Sequence, residues 1–303
     1  MISFHKTALE DKARYEALLD AMPERGCEYS FANLYMWGRQ EIAFLEDCAV
    51  FFSHFNGRTV YPFPIGPGNR RAALERILED AHQRGIPCRI TGMTDADRQE
   101  LEGWFPDVFE IRNARDSFDY VYDINALADL RGKKLQKKRN HFNRFQTLYP
   151  DYRVEPIGCA NLSRVQHMVN DWYVHRRKSD PEGDYLLESL AMVRAFRHYE
   201  ELGMEGIALL QGDRVLAVTL GSRLSRDTFD IHFEKAREDV PGAYNAVNCE
   251  FARYLRLKYP EIAYLNREDD VGLEGLRTAK LSYYPHHMVE KHWACLREDI
   301  YED

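Results

Sequence analysis

The sequence predicts an α/β protein built from two similar domains. The chain has 303 residues, which is long for one hydrophobic core, so two domains of about 150 residues are expected. Its 45% hydrophobic and 30% charged residues are typical of a folded globular protein. The predicted helices and strands also follow the same order in both halves of the chain. Together these observations favour two α/β domains over a single large one.

The first half begins with a predicted helix at residues 7–21, where apolar side chains recur at helical spacing. The short aromatic-rich segment 31–37 is predicted to be a second helix. The turn signals Glu46-Asp47 and Asn56-Gly57 then separate three predicted strands. The Gly- and Pro-rich turn 64–69 opens a predicted helix. The elements after the second helix are predicted as strands 41–46, 49–55 and 59–63, helix 70–83, strand 88–91, a helix that begins near Thr94, and strands 108–111 and 118–123.

The second half repeats this order. Its predicted elements are strand 153–157, helices 163–176 and 186–202, strands 206–211, 215–222 and 228–234, the glycine turn 240–244, helix 245–258, strand 262–266, helix 273–282 and strand 288–294. This order is the layout of the acyltransferase fold typified by the N-acetyltransferases. We therefore expect two tandem domains of this kind, each a mixed central sheet flanked by helices. The predicted bounds are 1–130 and 151–303, joined by a basic linker helix at 131–150.

Composition excludes several classes of protein. The six cysteines are isolated, with no CxxC pair, which favours free thiols in a reducing cytoplasm over disulfides or a zinc site. No segment approaches the roughly 18 uninterrupted apolar residues of a membrane span, and the N-terminus lacks a secretory pattern. The net charge of −8 argues against a general nucleic-acid coat protein. We expect a cytoplasmic protein with no membrane span, no metal and no tightly bound cofactor.

The two glycine turns are candidate phosphate sites. A helix N-terminus presents unpaired N–H groups and the positive end of the helix dipole, and glycine lets the backbone approach a ligand closely. The first turn, with Gly66 and Gly68, contains two prolines and is predicted to be structural. The second turn is the candidate site for the phosphate of a donor substrate, at Gly242, Ala243, Tyr244 and Asn245.

A basic run at 131–145 is a second candidate site. It carries seven positive charges and no acid, and Leu135, Phe142 and Phe145 give it an apolar stripe at helical spacing. A solvated linker helix is the simpler interpretation. The single sign of the charge in an acidic protein favours an anion site instead. The candidate anion-binding residues are Lys133, Lys134, Lys137, Lys138 and Arg139.

The polar run Asn266–Gly272 lies at the C-terminal end of a predicted strand, where open α/β sheets place their ligands. Crowded carboxylates raise one another's proton affinity, so Asp269 or Asp270 is a candidate general base. The alternatives are a helix cap or a structural latch between domains. Arg277 and Lys280 are expected to pair with the acidic cluster. The helix that follows is expected to turn three leucines toward the core: Leu273, Leu276 and Leu281.

Glu234 is a further candidate base, on the strand before the second glycine turn. With His232 it forms a pair two residues apart, which on a regular strand shares one face. A strand histidine is more often a hydrogen-bonded structural residue. The adjacent His286 and His287 point to opposite faces of a strand, so they are not expected to bind one metal ion together.

Three segments carry a resemblance to a known family. They are 31–37, the lysine-rich 132–140, and 266–285, which includes Tyr284. They look like the bacterial proteins related to the C-terminal domain of phosphatidylglycerol lysyltransferase, and the similarity spans the chain. It implies tandem acetyltransferase-like domains. The better-known relatives pass an aminoacyl group from aminoacyl-tRNA to a lipid or to a peptidoglycan-precursor peptide. The sequence lacks the multi-span membrane domain of the lysyltransferase. The resemblance therefore predicts the fold of this chain better than it predicts the acceptor.

These observations predict an acyl or aminoacyl transferase. The donor is aminoacyl-tRNA, favoured by the basic run, or acyl-CoA, favoured by the glycine turn, and the acceptor is an amine or a hydroxyl. A carboxylate of Asp269, Asp270 or Glu234 removes the acceptor's proton. The other predicted substrate-binding residues are Asn266, Arg267, Glu268, Arg277, Lys280 and Tyr284. The alternative is a non-catalytic module of the same fold that binds RNA or a phosphorylated metabolite.

Overall fold

A computed structural model describes residues 1–55, 57–180 and 185–302, so Asn56 of the predicted turn lies outside the described residues. The chain divides into two compact units. Unit 1 contains Met1–Asp119, Asp269–Leu273 and Met288–Asp303, and unit 2 contains Tyr120–Glu268 and Glu274–His287. These bounds differ from the predicted ones because the chain returns twice to unit 1 after entering unit 2.

Strands and helices are interspersed along the described residues, with three consecutive strands in each half. The strands are β1 (His5–Lys6), β2 (Gln40–Leu45), β3 (Cys48–Phe55), β4 (Arg58–Pro62), β5 (Arg89–Met93), β6 (Phe109–Asn113), β7 (Asp119–Asp123), β8 (Arg153–Pro156), β9 (Glu205–Gln211), β10 (Arg214–Arg223), β11 (Thr228–Ala236), β12 (Tyr264–Asn266), β13 (His287–Val289) and β14 (His292–Leu296). The helices are α1 (Lys12–Asp20), α2 (Phe31–Trp37), α3 (Arg70–Arg84), α4 (Asp95–Trp104), α5 (Ile124–Asp129), α6 (Gln136–Leu148), α7 (Leu162–Ser179), α8 (Leu186–Arg197), α9 (Ala243–Lys258) and α10 (Glu274–Leu281).

Unit 1 is built on a mixed sheet with the strand order β1-β2-β3-β4-β5-β14-β6. Only the β4–β5 neighbours run parallel among the pairs with a described register. Phe52, Tyr61 and Phe63 of the sheet pack with Leu74 and Ile77 of α3 in one buried cluster. In the first glycine turn, a Cβ at Gly68 would lie 1.9 Å from the backbone oxygen of Glu46. Close chain packing therefore explains this glycine.

Unit 2 is built on a second mixed sheet, with the order β13-β7-β12-β11-β10-β9-β8. β11 and β12 run parallel, whereas β8 to β11 form an antiparallel meander. Helix α9 packs on β9, β10 and β11 through buried side chains such as Phe251 and Leu255. Two mixed sheets flanked by helices confirm the predicted tandem architecture.

The structure corrects three of the sequence predictions. The single strand predicted at 288–294 is two strands, and the second of them, β14, pairs with β5 and β6 of unit 1. Strand β7, predicted to close the first half, pairs with β12 of unit 2. The leucines expected to face the core are exposed instead, with relative exposures of 60% for Leu273, 37% for Leu276 and 47% for Leu281.

Candidate functional site

The parallel strands β11 and β12 place the candidate site within unit 2. They pair from Thr228 with Tyr264 to Asp230 with Asn266. β12 ends there, but β11 continues for six more residues to Ala236. The last six residues of β11 therefore extend beyond the carboxyl end of β12 and do not pair with it. Ligands of α/β sheets bind at the carboxyl ends of parallel strands. Glu234 of β11 and Arg267, which follows β12, lie at this end.

A β-bulge in β11 decides which way Glu234 points. Across β10 and β11, Leu220 pairs with Phe233 and Gly221 pairs with Ile231, so His232 is an extra residue. A bulge of this kind breaks the alternation of faces along a strand. Glu234 consequently lies opposite Thr219. The prediction that His232 and Glu234 share one face is wrong, because it assumed a regular strand.

His232 is a hydrogen-bonded, buried residue. Its Nε2 lies 2.8 Å from Ser222 Oγ, and its Nδ1 lies 3.2 Å from Glu268 Oε1 and 3.4 Å from Asp230 Oδ2. These contacts agree with the structural interpretation of a strand histidine. By distance alone, Asp230, His232 and Glu268 could hold a metal ion, as could the surface group Asp95, Glu290 and His292.

The carboxylate of Glu234 is the centre of a buried polar network. Arg267 Nη2 donates to Glu234 Oε1 over 3.1 Å, and Asn248 Nδ2 of α9 donates to Oε2 over 3.2 Å. The side chains of Glu234 and Arg267 are each only 14% exposed. The Arg267 guanidinium lies 4.9 Å from the centroid of the Tyr283 ring, whose hydroxyl accepts a hydrogen bond of 2.7 Å from Asn245 Nδ2. Three of the predicted site residues, Glu234, Arg267 and Asn245, are thus joined in one network.

Three polar atoms around Glu234 have no hydrogen-bond partner within the described part of the chain. They are Arg267 Nη1, Asn248 Oδ1 and Thr219 Oγ1. All three are buried, and each belongs to a residue that bonds Glu234 or lies opposite it. Buried polar groups in folded proteins are almost always hydrogen-bonded. We call Glu234, Arg267, Asn248, Thr219 and Tyr283 the Glu234 cluster, and its unsatisfied atoms are suited to a polar ligand.

Lys138 of α6 adjoins this cluster. Its Nζ lies 3.9 Å from the centroid of the Tyr283 ring. Burial, together with the positive charges of Arg267 and Lys137, lowers the pKa of Lys138 to about 8. Burial also raises the pKa of the Tyr283 hydroxyl to about 12, so this group stays protonated. Lys138 differs in this from the ordinary solvated lysine that the sequence suggests.

The other cations of the basic run divide into two groups. Lys133, Lys134 and Lys137 are exposed, and Lys134 Nζ lies 5.5 Å from the ring centroid of Tyr284. Arg139, by contrast, donates to the backbone oxygens of Leu130 and Gly132, so it stabilises the turn before α6 instead of extending the exposed cationic surface. The predicted apolar stripe is confirmed by the burial of Leu135, Phe142 and Phe145.

Gly242 is explained by packing. Its φ of +81° is left-handed, and a Cβ there would lie 2.6 Å from the backbone oxygen of His141 in α6. Glycine therefore lets α6 approach the N-terminus of α9. Ala243 is buried and Tyr244 is partly exposed. Of the four residues of the predicted phosphate turn, Asn245 is the one that bonds the Glu234 cluster.

The acidic run is divided between the units. Asp269 and Asp270 belong to unit 1, whereas Asn266, Arg267 and Glu268 belong to unit 2. Asp270 is fully buried, accepts a hydrogen bond of 3.1 Å from Arg115 and accepts another from the backbone N–H of Gly272. These bonds are those of a structural carboxylate, as in the capping alternative. Asp269 contributes to the raised pKa of Lys291, also in unit 1.

In unit 2, the first part of the run shapes the backbone around Arg267. Asn266 Oδ1 accepts a hydrogen bond of 2.7 Å from the backbone N–H of Glu268, whose φ is +58°. Lys280 of α10 donates to the backbone oxygen of Arg267, and Arg277 is half-buried on the same helix. Asn266, Glu268 and Lys280 thus position Arg267 rather than forming a carboxylate cluster of their own.

Sequence reasoning missed Asn248, Thr219 and Tyr283 as site residues. A signal existed for Asn248, which lies one turn after Asn245 among buried apolar residues of α9 such as Val247 and Phe251. Tyr283 stands beside the chosen Tyr284. Nothing in the local sequence marks Thr219, because its place opposite Glu234 depends on the bulge in β11.

The fold and the site define a protein of the tandem acyltransferase-like class, with its polar centre in unit 2. A family model described as phosphatidylglycerol lysyltransferase, C-terminal, matches residues 19–295. The chain therefore belongs to this family.

Solved structures agree with this assignment. A conserved protein of unknown function from Bacteroides thetaiotaomicron is 35% identical, with a TM-score of 0.92 over 98% of this chain and 100% of that one. The structure of L-PGS from Bacillus licheniformis has a TM-score of 0.70 over 98% of this chain and 94% of that one, at 14% identity. At that identity the likeness shows the fold alone.

A curated relative is an uncharacterized protein of Mycoplasmoides gallisepticum, which is 26% identical over 197 residues. The match spans 64% of this chain and 61% of that protein, less than two thirds of its length. Within the described residues, no helix combines the length and the apolar character that a bilayer crossing requires.

Proposed function

We propose that the protein is an acyl or aminoacyl transferase, and that the Glu234 cluster binds the group that is transferred. The observation that carries this proposal is the set of unsatisfied buried atoms around Glu234. Arg267 Nη1 is a charged donor suited to the carbonyl oxygen of a donor substrate, which gains negative charge as the acceptor attacks. Asn248 Oδ1 is an acceptor suited to an N–H or O–H group. A carbonyl and an adjacent amine or hydroxyl satisfy both atoms.

Between the two donors, the described residues favour aminoacyl-tRNA over acyl-CoA. The exposed Lys133, Lys134 and Lys137 suit a phosphate backbone. Tyr284 is 51% exposed and lies beside Lys134, an arrangement suited to a stacked base at the end of a single strand. The support for acyl-CoA came from the glycine turn, and packing against His141 already accounts for Gly242.

The acceptor is an amine or a hydroxyl, in keeping with the chemistry of the cluster. A non-catalytic RNA-binding module is the second candidate, favoured by one observation: both carboxylate oxygens of Glu234 already accept hydrogen bonds within the protein. In that case the exposed lysines would bind RNA with a steep dependence on salt, and no acyl group would move.

The test measures loss of label from two donors. Total tRNA charged with radiolabelled amino acids, or labelled acetyl-CoA, is incubated with the protein and a cell extract that supplies acceptors. We expect discharge of aminoacyl-tRNA above the rate in buffer. Arg267→Lys keeps the positive charge but removes the second nitrogen donor. It should therefore lower kcat/KM by about 100- to 1,000-fold. Arg197→Lys, at an exposed arginine of α8, is the matched control.

Circular dichroism and thermal melting establish that both variants are folded. If the protein discharged acetyl-CoA but not aminoacyl-tRNA, the donor would be acyl-CoA. Salt-dependent binding of tRNA with no discharge of either donor would support the binding module and overturn the transferase.

A further inference from the structure

Lys138 stands apart from the other lysines of the basic run. Lys133, Lys134 and Lys137 are exposed, whereas Lys138 is half-buried and its Nζ lies over the ring of Tyr283. A lysine that serves only to attract phosphate gains from being solvated and mobile. One held against the Glu234 cluster has lost that freedom, so its place calls for another explanation.

Burial is the main influence that favours the neutral form of Lys138. The positive charges of Arg267 and Lys137 act in the same direction, and Glu234 opposes them more weakly. Glu234 is already the partner of Arg267. Tyr283 has a raised pKa and adds no negative charge at neutral pH, whereas the face of its ring attracts an ammonium. A pKa of about 8 gives Lys138 the proton affinity of an effective base near neutral pH.

Glu234 is poorly placed to be that base. Its Oε1 accepts from Arg267 and its Oε2 accepts from Asn248. A proton taken up by this carboxylate would disrupt one of these two bonds and weaken a buried charge pair. The geometry suits a carboxylate that holds Arg267 in position.

We propose that Lys138 is the catalytic base of the transfer reaction, accepting the proton of the attacking amine or hydroxyl, and that Glu234 is a positioning residue for Arg267. This inference rests on the proposed transferase function. It reassigns the role that the sequence gave to a carboxylate.

The step balances as follows for an amine acceptor. The neutral amine attacks the carbonyl carbon of the donor ester, a C–N bond forms, and one N–H proton passes to neutral Lys138 Nζ. The C–O bond to the ribose then breaks with its electron pair on oxygen. The ammonium of Lys138 returns the proton to that oxygen, which leaves an amide, a free ribose hydroxyl and neutral Lys138. A hydroxyl acceptor gives an ester by the same transfers.

The first experiment needs no substrate. The protein is labelled with trace acetic anhydride between pH 6 and pH 11, and acetylation of each lysine is followed by mass spectrometry. We expect Lys138 to reach half-maximal reactivity about two pH units below a lysine model peptide added as reference, whose pKa is about 10.4. Arg267→Lys should leave this shift in place, because it keeps the neighbouring positive charge. Titration of Lys138 together with the model peptide would overturn the proposal.

The second experiment uses the aminoacyl-tRNA discharge assay. Lys138→Met should lower kcat by about 100-fold or more, the usual contribution of a general base. Lys138→Arg should be equally impaired, because arginine keeps the charge but takes up no proton near neutral pH. Lys178→Met, at an exposed lysine of α7, is the matched control and should leave kcat and tRNA binding unchanged.

The outcomes distinguish failure of the Lys138 base assignment from failure of the proposed transferase function. Activity retained by Lys138→Arg would mean that the residue acts only as a cation, which overturns the base assignment and leaves the transferase standing. A wild-type protein that discharges neither aminoacyl-tRNA nor acetyl-CoA would overturn the transferase, and the base assignment with it. Thermal melting of both Lys138 variants distinguishes loss of the base from loss of the fold.

Discussion

Two buried ionic clusters, the one around Lys291 in unit 1 and the Glu234 cluster in unit 2, differ in how completely their polar atoms are bonded. In unit 1, Lys291 Nζ lies 2.6 Å from both Glu28 Oε2 and Asp119 Oδ1. The second oxygen of Asp119 accepts a hydrogen bond from the backbone N–H of Cys27. In unit 2, the Glu234 cluster keeps three polar atoms unsatisfied among the described residues.

Under the proposed function, this difference separates a structural cluster from a binding one. Unit 1 contains three side chains that are close enough to hold a metal ion: Cys27, Glu28 and Asp119. The Lys291 ammonium, however, already supplies the positive charge there. A buried charge with complete partners contributes to the fold and has no capacity left for a ligand. The unsatisfied atoms of the Glu234 cluster lower stability until a ligand binds them.

The largest effect is expected from Lys291→Met. Removing the cation leaves Asp119 and Glu28 as uncompensated buried carboxylates, which costs about 3–5 kcal/mol of the free energy of unfolding. Urea denaturation measures the loss. Lys12→Met is the matched control in unit 1, since Lys12 makes a surface ion pair with Glu16 that is worth at most about 1 kcal/mol. A loss as small as in the control would show that the unit 1 cluster is dispensable.

The pH dependence of that loss gives a sharper test. Burial alone would lower the pKa of Lys291, but Asp119, Cys27, Glu28 and Asp269 raise it well above its ordinary value. A raised pKa stabilises the folded protein fully below the ordinary lysine value of about 10.4, and the stabilisation is lost as pH rises through the folded-state pKa.

The difference in unfolding free energy between wild type and Lys291→Met should therefore be constant from pH 7 to pH 10. It should narrow as the pH is raised further. Denaturation curves of both proteins at each pH measure the difference, so that alkaline effects common to both cancel. A difference that is unchanged at pH 12 would contradict the charge pairing.

How far the sequence predicts these clusters depends on the range of the contacts. The strands and helices follow local patterns, and both tandem sheets form as expected. The pairing of β7 with β12, and of β14 with β5 and β6, joins segments far apart in the chain. No local pattern specifies such partners, so the division of the acidic run between two units was not predictable.

The candidate site shows the same limit at the level of single residues. Glu234, Arg267, Asn245 and Lys138 were chosen from charge and position near a strand end or a helix start. Their roles depended on features that a one-dimensional pattern lacks. The bulge at His232 turns Glu234 toward Asn248, the backbone of His141 explains Gly242, and the burial of Lys138 against Tyr283 changes its chemistry.

The smallest effect is expected from Thr219→Val, and its sign tests the comparison directly. Thr219 Oγ1 is buried without a partner among the described residues, so replacing it with a methyl group of similar shape removes a desolvation cost. Stability should rise by about 1 kcal/mol, while kcat/KM for aminoacyl-tRNA falls by about tenfold because the ligand loses one hydrogen bond.

The matched control is Thr228→Val, a buried threonine whose hydroxyl donates to Asp227. That variant should lose about 1 kcal/mol, because it removes one hydrogen bond of the folded protein, although Asp227 Oδ1 still accepts a bond from Ser225 Oγ. Urea denaturation of the two variants measures whether each substitution raises or lowers the free energy of unfolding. If Thr219→Val were destabilised like Thr228→Val, its hydroxyl would have a partner in the folded protein. The Glu234 cluster would then keep two unsatisfied atoms instead of three, and the case for a ligand there would rest on Arg267 Nη1 and Asn248 Oδ1 alone.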